Sequence, residues 1–288
     1  MKYLRLLLIL FLFAFLFGCS SSNAPQAGSP AWLWAAAHDA YNVGDYEKTC
    51  DHLEKIENLG NNPYVDRARA WRLVLEAGSA NAQIELAKAY AEGWHMSRTE
   101  KLAFQKQKNA HLDQASRHAI DLYEGFGNFA KKIPDKIELE FSFPQGSAGQ
   151  VAELDRVYRG LNVSEAQRAA VDDKMMKRGI IRMVDSAVAT EDDMAAAESA
   201  FKSGKVEIPA ARYMLAMAIT FDRCATIYDN KHLAEGDKLK LLRDRALETA
   251  KQVLELKPDA ETEKAAKQLV ADIEKGVKAT DGKKKGRA

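Results

Sequence analysis

Cysteine is scarce, with three in 288 residues, and that excludes a disulfide-built scaffold. Proline is scarce too, at seven residues, and runs of β-branched residues are few, while Ala, Leu, Lys, Glu and Gln abound, the composition of a largely helical chain. Neither sign of charge is in excess. Formally the chain carries +1, without the basic surplus that a nucleic-acid binder shows on one face. No His-Glu-x-x-His or paired Cys-x-x-Cys is present, nor a Gly-x-Ser-x-Gly elbow or a phosphate loop. Gly125-Phe126-Gly127 lacks the preceding strand that a dinucleotide fingerprint requires. His111 and His118 fall seven apart on one helical face, too far to share a metal without other ligands. No catalytic residue, metal or cofactor is therefore expected, and the chain does not read as an enzyme.

Long apolar runs are also missing, with one short exception at the start. Met1-Lys2-Tyr3-Leu4-Arg5 is basic, Leu6 to Phe17 is apolar, and Gly18-Cys19-Ser20-Ser21-Ser22 follows. The run is shorter than the ~18 residues that read as a membrane span, and it has the layout of a secretory signal. The stretch Leu16-Phe17-Gly18-Cys19 resembles the lipobox of bacterial lipoproteins, although a smaller residue than Phe17 is commoner there. The resemblance implies diacylglycerol on the Cys19 sulfur, removal of residues 1–18, and an acyl chain such as palmitate on the new amino group. Ser20 after that cysteine resembles the enterobacterial pattern for outer-membrane sorting. The implied location is the outer membrane, on its periplasmic side. Each buried methylene contributes about 0.8 kcal/mol, so several acyl chains hold where one grips only marginally. Residues 19–31 read as a flexible tether. Removing Lys2 and Arg5 leaves the mature part at about −1.

With Cys19 taken by lipid, Cys50 and Cys224 remain, an even pair that an oxidising compartment permits to join. Both lie in helical patterns, and the favoured alternative is two separate thiols packed as small hydrophobes.

Helical periodicity fills most of residues 32–277. Trp32 to Tyr41 predicts one helix, Gly44-Asp45-Tyr46-Glu47 a turn, and Lys48 to Leu59 a second helix with Cys50, Leu53 and Ile56 on one face. Ala37 and Ala40 leave room for close approach of the two. This unit resembles a tetratricopeptide repeat, with Ala37 and Thr49 at its small positions and Leu53 and Ile56 at its apolar ones. Asn81 to Gly93 resembles the first helix of a tetratricopeptide or Sel1-type repeat. Arg245 to Pro258 resembles a second helix, with Ala246, Ala250 and Val253 inward, and its partner is expected in Pro209 to Tyr228. The implied fold is all-α: antiparallel helix hairpins in a right-handed solenoid, against the plainer alternative of a generic helical bundle. Repeats bury their faces on their neighbours, so outer units are expected to be irregular.

The middle departs from this. Arg98 to Lys131 predicts a long polar helix, and Lys136 to Phe143 then alternates strictly, putting Ile137, Leu139, Phe141 and Phe143 on one face. A lone strand cannot satisfy its backbone, and Val206-Glu207-Ile208 is the only candidate mate. The favoured reading is an extended connector lying across helices. Ser164-Glu165-Ala166-Gln167 is a capping box opening a helix to about Val188, and Thr190 to Asp193 caps a short one. Pro209 opens a strongly apolar, buried helix, and Asp259 to Val277 is the last one. Residues 278–288, with Lys283-Lys284-Lys285, read as a disordered basic tail.

What remains is surface. If the first hairpin presents its leading helix as tetratricopeptide units do, Trp34, His38, Tyr41 and Asn42 face an envelope protein or peptide partner, though Trp34 and Tyr41 would equally suit packing. A closed apolar cavity among Leu215, Met217, Phe221 and the 141–143 segment would instead indicate a small-ligand-binding accessory lipoprotein of a periplasmic transport system. Convergent buried charges in a cleft would raise the case for an enzyme.

Overall fold

The computed structural model describes residues 25–140, 151–188 and 206–285, with side chains to residue 276. Cys19, the 141–143 segment and Thr190 to Asp193 lie outside the described residues.

Helix α1 spans Pro30–Asn42 and begins two residues before the predicted start. The Ser29 hydroxyl accepts from the Trp32 amide, and Pro30 supplies a preset φ at the first helical position. Gly44, at φ 83°, turns the chain in a conformation open to glycine. The Asp45 carboxylate then caps α2, Tyr46–Asn58, through the Lys48 amide. Ala37, Leu53 and Ile56 are fully buried between the two helices and their neighbour, so the expected hairpin forms.

The second expected unit is longer than a repeat of that type. Asn81 to Gly93 is the latter half of α3, one helix of 32 residues, Val65–Met96. Nothing interrupts it, because Gly78 and Gly93 serve as crossing points rather than turns. A Cβ on Gly78 would lie 2.7 Å from the Ile180 Cα, and one on Gly93 would lie 2.2 Å from the Val157 carbonyl oxygen. Helix α4, Lys101–Phe129, returns antiparallel along α3. His118 meets Glu76, His111 meets Gln83, and the Phe104 ring tilts against Tyr90.

Strand β1, Lys136–Leu139, pairs antiparallel with β2, Val206–Pro209, placing Ile137 opposite Ile208 and Leu139 opposite Val206. The connector reading is thus corrected: the alternation marks a true strand, and its mate is the single candidate. All four apolar side chains are buried, which fixes the register. Phe141 and Phe143 fall outside the described residues.

Between the strands lie α5, Ala152–Tyr158, and α6, Glu165–Val188. The capping box is present in both directions: the Gln167 amide donates to Ser164 Oγ, and the Ser164 amide donates to Gln167 Oε1. Helix α7, Ala210–Ala225, is buried along most of its length, with Ile219 an exposed exception. Helix α8, Gly236–Glu255, packs on it with Ala246, Ala250 and Val253 inward, as expected of that pairing. Lys257, at φ 51°, and Pro258 end the helix. Asp259 caps α9, Ala260–Lys285, through the Thr262 amide. The last helix reaches Lys285, into the residues read as a basic tail, and residues 286–288 lie outside the described ones.

The described residues are mostly helical, with one two-stranded ribbon among them. Its larger core joins α1–α4, both strands, α6–α8 and α9, and a smaller one gathers Tyr90, Phe104, Val157 and Met175. Among the described residues no helix is long and apolar enough to cross a membrane.

Candidate functional site

The four predicted contact residues separate. Tyr41 is 1% exposed and packs edge-on to Trp71 at 5.6 Å, so it belongs to the core and not to a partner surface. Its position on α1 faces α3, a neighbour that the isolated hairpin pattern does not reveal. Asn42 is exposed at the helix end. Trp34 and His38 meet at 5.3 Å, and Trp34 lies 5.5 Å from Tyr64. Arg67 sits over both the Trp34 and Tyr64 rings and donates to Glu140 at 2.6 Å. Two of the four thus join a half-buried aromatic cluster held by an ion pair. Tyr90 is buried, and Trp94 lies at the edge of the smaller core beside Lys101.

Cys50 and Cys224 are both free, so the disulfide is not formed. Cys224 is buried on α7, where burial pushes its thiol up to about 12. Cys50 instead lines a cleft. The apolar cavity considered at Leu215, Met217 and Phe221 is filled by packing there: Met217 and Phe221 are fully buried, and Phe221 meets Phe126 edge-on at 5.2 Å.

A concavity of about 550 Å³ lies between α2, α3 and α4, with Met176 of α6 also lining it. Its lining is polar. Seven carboxylates face it against three arginines. Four of the acids, Glu47, Asp51, Glu54 and Glu57, come from one face of α2. Glu57 is nearly buried and accepts from Arg72 Nε at 2.6 Å and Nη2 at 3.3 Å, with Arg69 Nε at 3.4 Å. Burial works against the Arg72 charge, but hydrogen bonding and attraction from Glu57 more than offset it and hold the guanidinium above its ordinary value. Gly125 makes room for that guanidinium, since a Cβ there would lie 2.6 Å from Nη2.

Deeper in the cleft, Glu76 on α3 is 6% exposed and meets His118 Nδ1 of α4 at 2.7 Å. Asp121 stands one turn beyond His118. The donor atoms of Glu76, His118 and Asp121 all lie within 4.8 Å of one another. Burial and then repulsion from Glu76 raise the Asp121 carboxyl above its ordinary value. Cys50 also hydrogen-bonds Glu76, and burial with that neighbouring carboxylate pushes its thiol well above the usual range. A thiol so placed is no nucleophile.

None of these acids was singled out from sequence. The signals were present but ordinary: His118 and Asp121 at i, i+3, and a run of acids on α2 that reads as a solvated helix face. What the pattern lacks is the pairing of α3 with α4, which brings Glu76 across. Comparisons with protein-family models, with curated proteins and with solved structures returned no match.

Proposed function

We propose that this protein is a lipid-anchored binding module of the bacterial envelope, held on the periplasmic face of the outer membrane through Cys19, which takes a basic segment of a partner protein into its acidic cleft. The observation that carries the reading is the surplus of carboxylates there, seven against three arginines, with Arg69 and Arg72 already engaged by Glu57. A cleft lined by one sign of charge concentrates ligands of the other sign. The lipobox supports the location. The α1–α2 hairpin, with its Gly44-Asp45-Tyr46-Glu47 turn, supports a tetratricopeptide-like origin for the scaffold, built as part of a right-handed solenoid whose later units have merged into longer helices. Anchoring raises the module's effective concentration near envelope partners. The mechanism is retention of a partner rather than conversion of a substrate, in keeping with the inert Cys50 thiol.

Titration of a lysine-rich peptide and a glutamate-rich peptide of equal length tests this. The lysine-rich peptide is expected to bind, more weakly as salt rises, and binding is expected to fail in the exposed double variant Asp51→Lys, Glu54→Lys. Equal binding of both peptides, or of wild type and variant, would overturn the reading.

A further inference from the structure

The geometry points to a divalent-cation site of the zinc class in the floor of the cleft, made by Glu76, His118 and Asp121. It does not depend on the partner reading above. His118 and Asp121 are one turn apart on α4 and so present their donors side by side, while Glu76 reaches them from α3. One imidazole and two carboxylates, with donor atoms within 4.8 Å of one another, are the ligand types that zinc and its neighbours accept. Neither magnesium nor calcium suits an imidazole as well.

Three further observations favour a cation. Glu76 is nine-tenths buried, and a buried carboxylate needs positive charge close by. Arg72 and Arg69 donate to Glu57 and not to Glu76, whose side-chain contacts include His118. The site also opens onto the cleft, which gives an ion a way in and leaves coordination positions for water. Bonds of about 2.1 Å in a tetrahedral shell place donor atoms about 3.4 Å apart. The 2.7 Å His118–Glu76 contact therefore has to widen by a small rotation of either side chain. As it does, Nδ1 gives up its hydrogen, to solvent from an imidazolium or to Nε2 by a change of tautomer, and the ion takes its place. The condition that excluded His118 from sequence was the want of other ligands, and α3 supplies one.

The test uses the full chain purified in detergent, stripped with a chelator and titrated with Co²⁺ and then Zn²⁺. One equivalent of Co²⁺ is expected to give visible d–d absorption that Zn²⁺ displaces, and Zn²⁺ is expected to raise the unfolding temperature. Losing a group behind a ligand costs about 10–100-fold in affinity, so Asp121→Asn and His118→Gln should each weaken binding by at least about 100-fold. Asp121 is exposed, so its variant folds whatever becomes of the other. Absence of a saturable Co²⁺ signal in the wild type, or equal affinity in Asp121→Asn, would overturn the site and leave Glu76–His118 as a contact between helices. Repeating the peptide titration on stripped and loaded protein keeps this outcome separate from that of the partner reading.

Discussion

Single residues in this molecule carry charge chemistry that α3 and α4 have buried between them. His111 is the clearest case. Its Nδ1 meets Gln83 Oε1 at 2.7 Å, its ring stacks on Tyr90 at 5.2 Å, and its Nε2 faces the Asp172 carboxylate of α6 at 4.0 Å. Burial holds the imidazole down at about 4, and burial raises the Asp172 carboxyl to about 6 despite the opposing pull of Arg168. Between the ordinary histidine value of about 6.5 and pH 4, the unfolded chain takes up a proton at His111 that the folded chain refuses, so stability falls as pH falls. Over that window the loss reaches about 3 kcal/mol. Asp172 works the other way. Below about 6 the folded state holds a proton that the unfolded carboxylate lacks until its ordinary value near 3.8, so stability rises as pH falls. In wild type the two slopes oppose. Urea midpoints measured from pH 7 to pH 4 should therefore change little in wild type, fall steeply in Asp172→Asn, and rise in His111→Gln. Parallel curves for all three would show that neither group titrates differently on folding. Glu57 gives a simpler expectation. Removing one partner of a buried ion pair leaves the other uncompensated, so Glu57→Ala should lower stability by about 3–5 kcal/mol in chemical denaturation.

At the scale of elements, two glycines fix how α3 and α6 cross. A Cβ on Gly179 would lie 2.2 Å from the Gly78 carbonyl oxygen, and one on Gly78 would lie 2.8 Å from the Ile180 nitrogen. Both obstacles are backbone, which cannot rotate aside. Gly179→Ala removes helix-destabilising glycine and would add about 1 kcal/mol on an exposed helix. Here overpacking should win, and the variant is expected to unfold at least about 2 kcal/mol more easily. An unchanged or raised melting temperature would show that the helices can separate without cost. These glycines also explain what could be read in advance. Caps and local turns were legible, because Ser164 with Gln167 and Gly44 with Asp45 act within a few residues of themselves. The Ile137–Leu139 alternation was legible as a face, but pairing with Val206–Ile208 depends on a contact about seventy residues away, and an extended connector looks the same locally. Asn81 to Gly93 read as the first helix of a repeat, whereas Gly78 and Gly93 are points of backbone contact with distant helices inside one longer helix. The cleft was illegible for the same reason: its acids are ordinary surface charges until α2, α3 and α4 come together.

At the scale of the whole molecule, the proposed function requires something to hold the protein at a membrane. Among the described residues no helix can span one. Charge offers little help, because the whole chain carries +1, residues 19–288 about −1, and the one basic cluster is Lys283-Lys284-Lys285 with Arg287. Anionic lipid surfaces retain segments with about 4–8 clustered basic residues, at roughly 1 kcal/mol for each. That cluster reaches only the lower limit, and seven carboxylates in the cleft oppose it. On the proposed reading, attachment therefore rests on the acyl chains at Cys19, whose hydrophobic contribution is insensitive to ionic strength. Membranes washed in high salt should keep the protein, and detergent should release it. Cys19→Ala should remain unprocessed, or appear in the soluble fraction if cleaved. Mass spectrometry of the purified protein should find Cys19 as the first residue, carrying a diacylglyceryl group and an amide-linked acyl chain. A processed Cys19→Ala form that still sediments with membranes would assign retention to the helical body, and salt release of the wild type would assign it to charge.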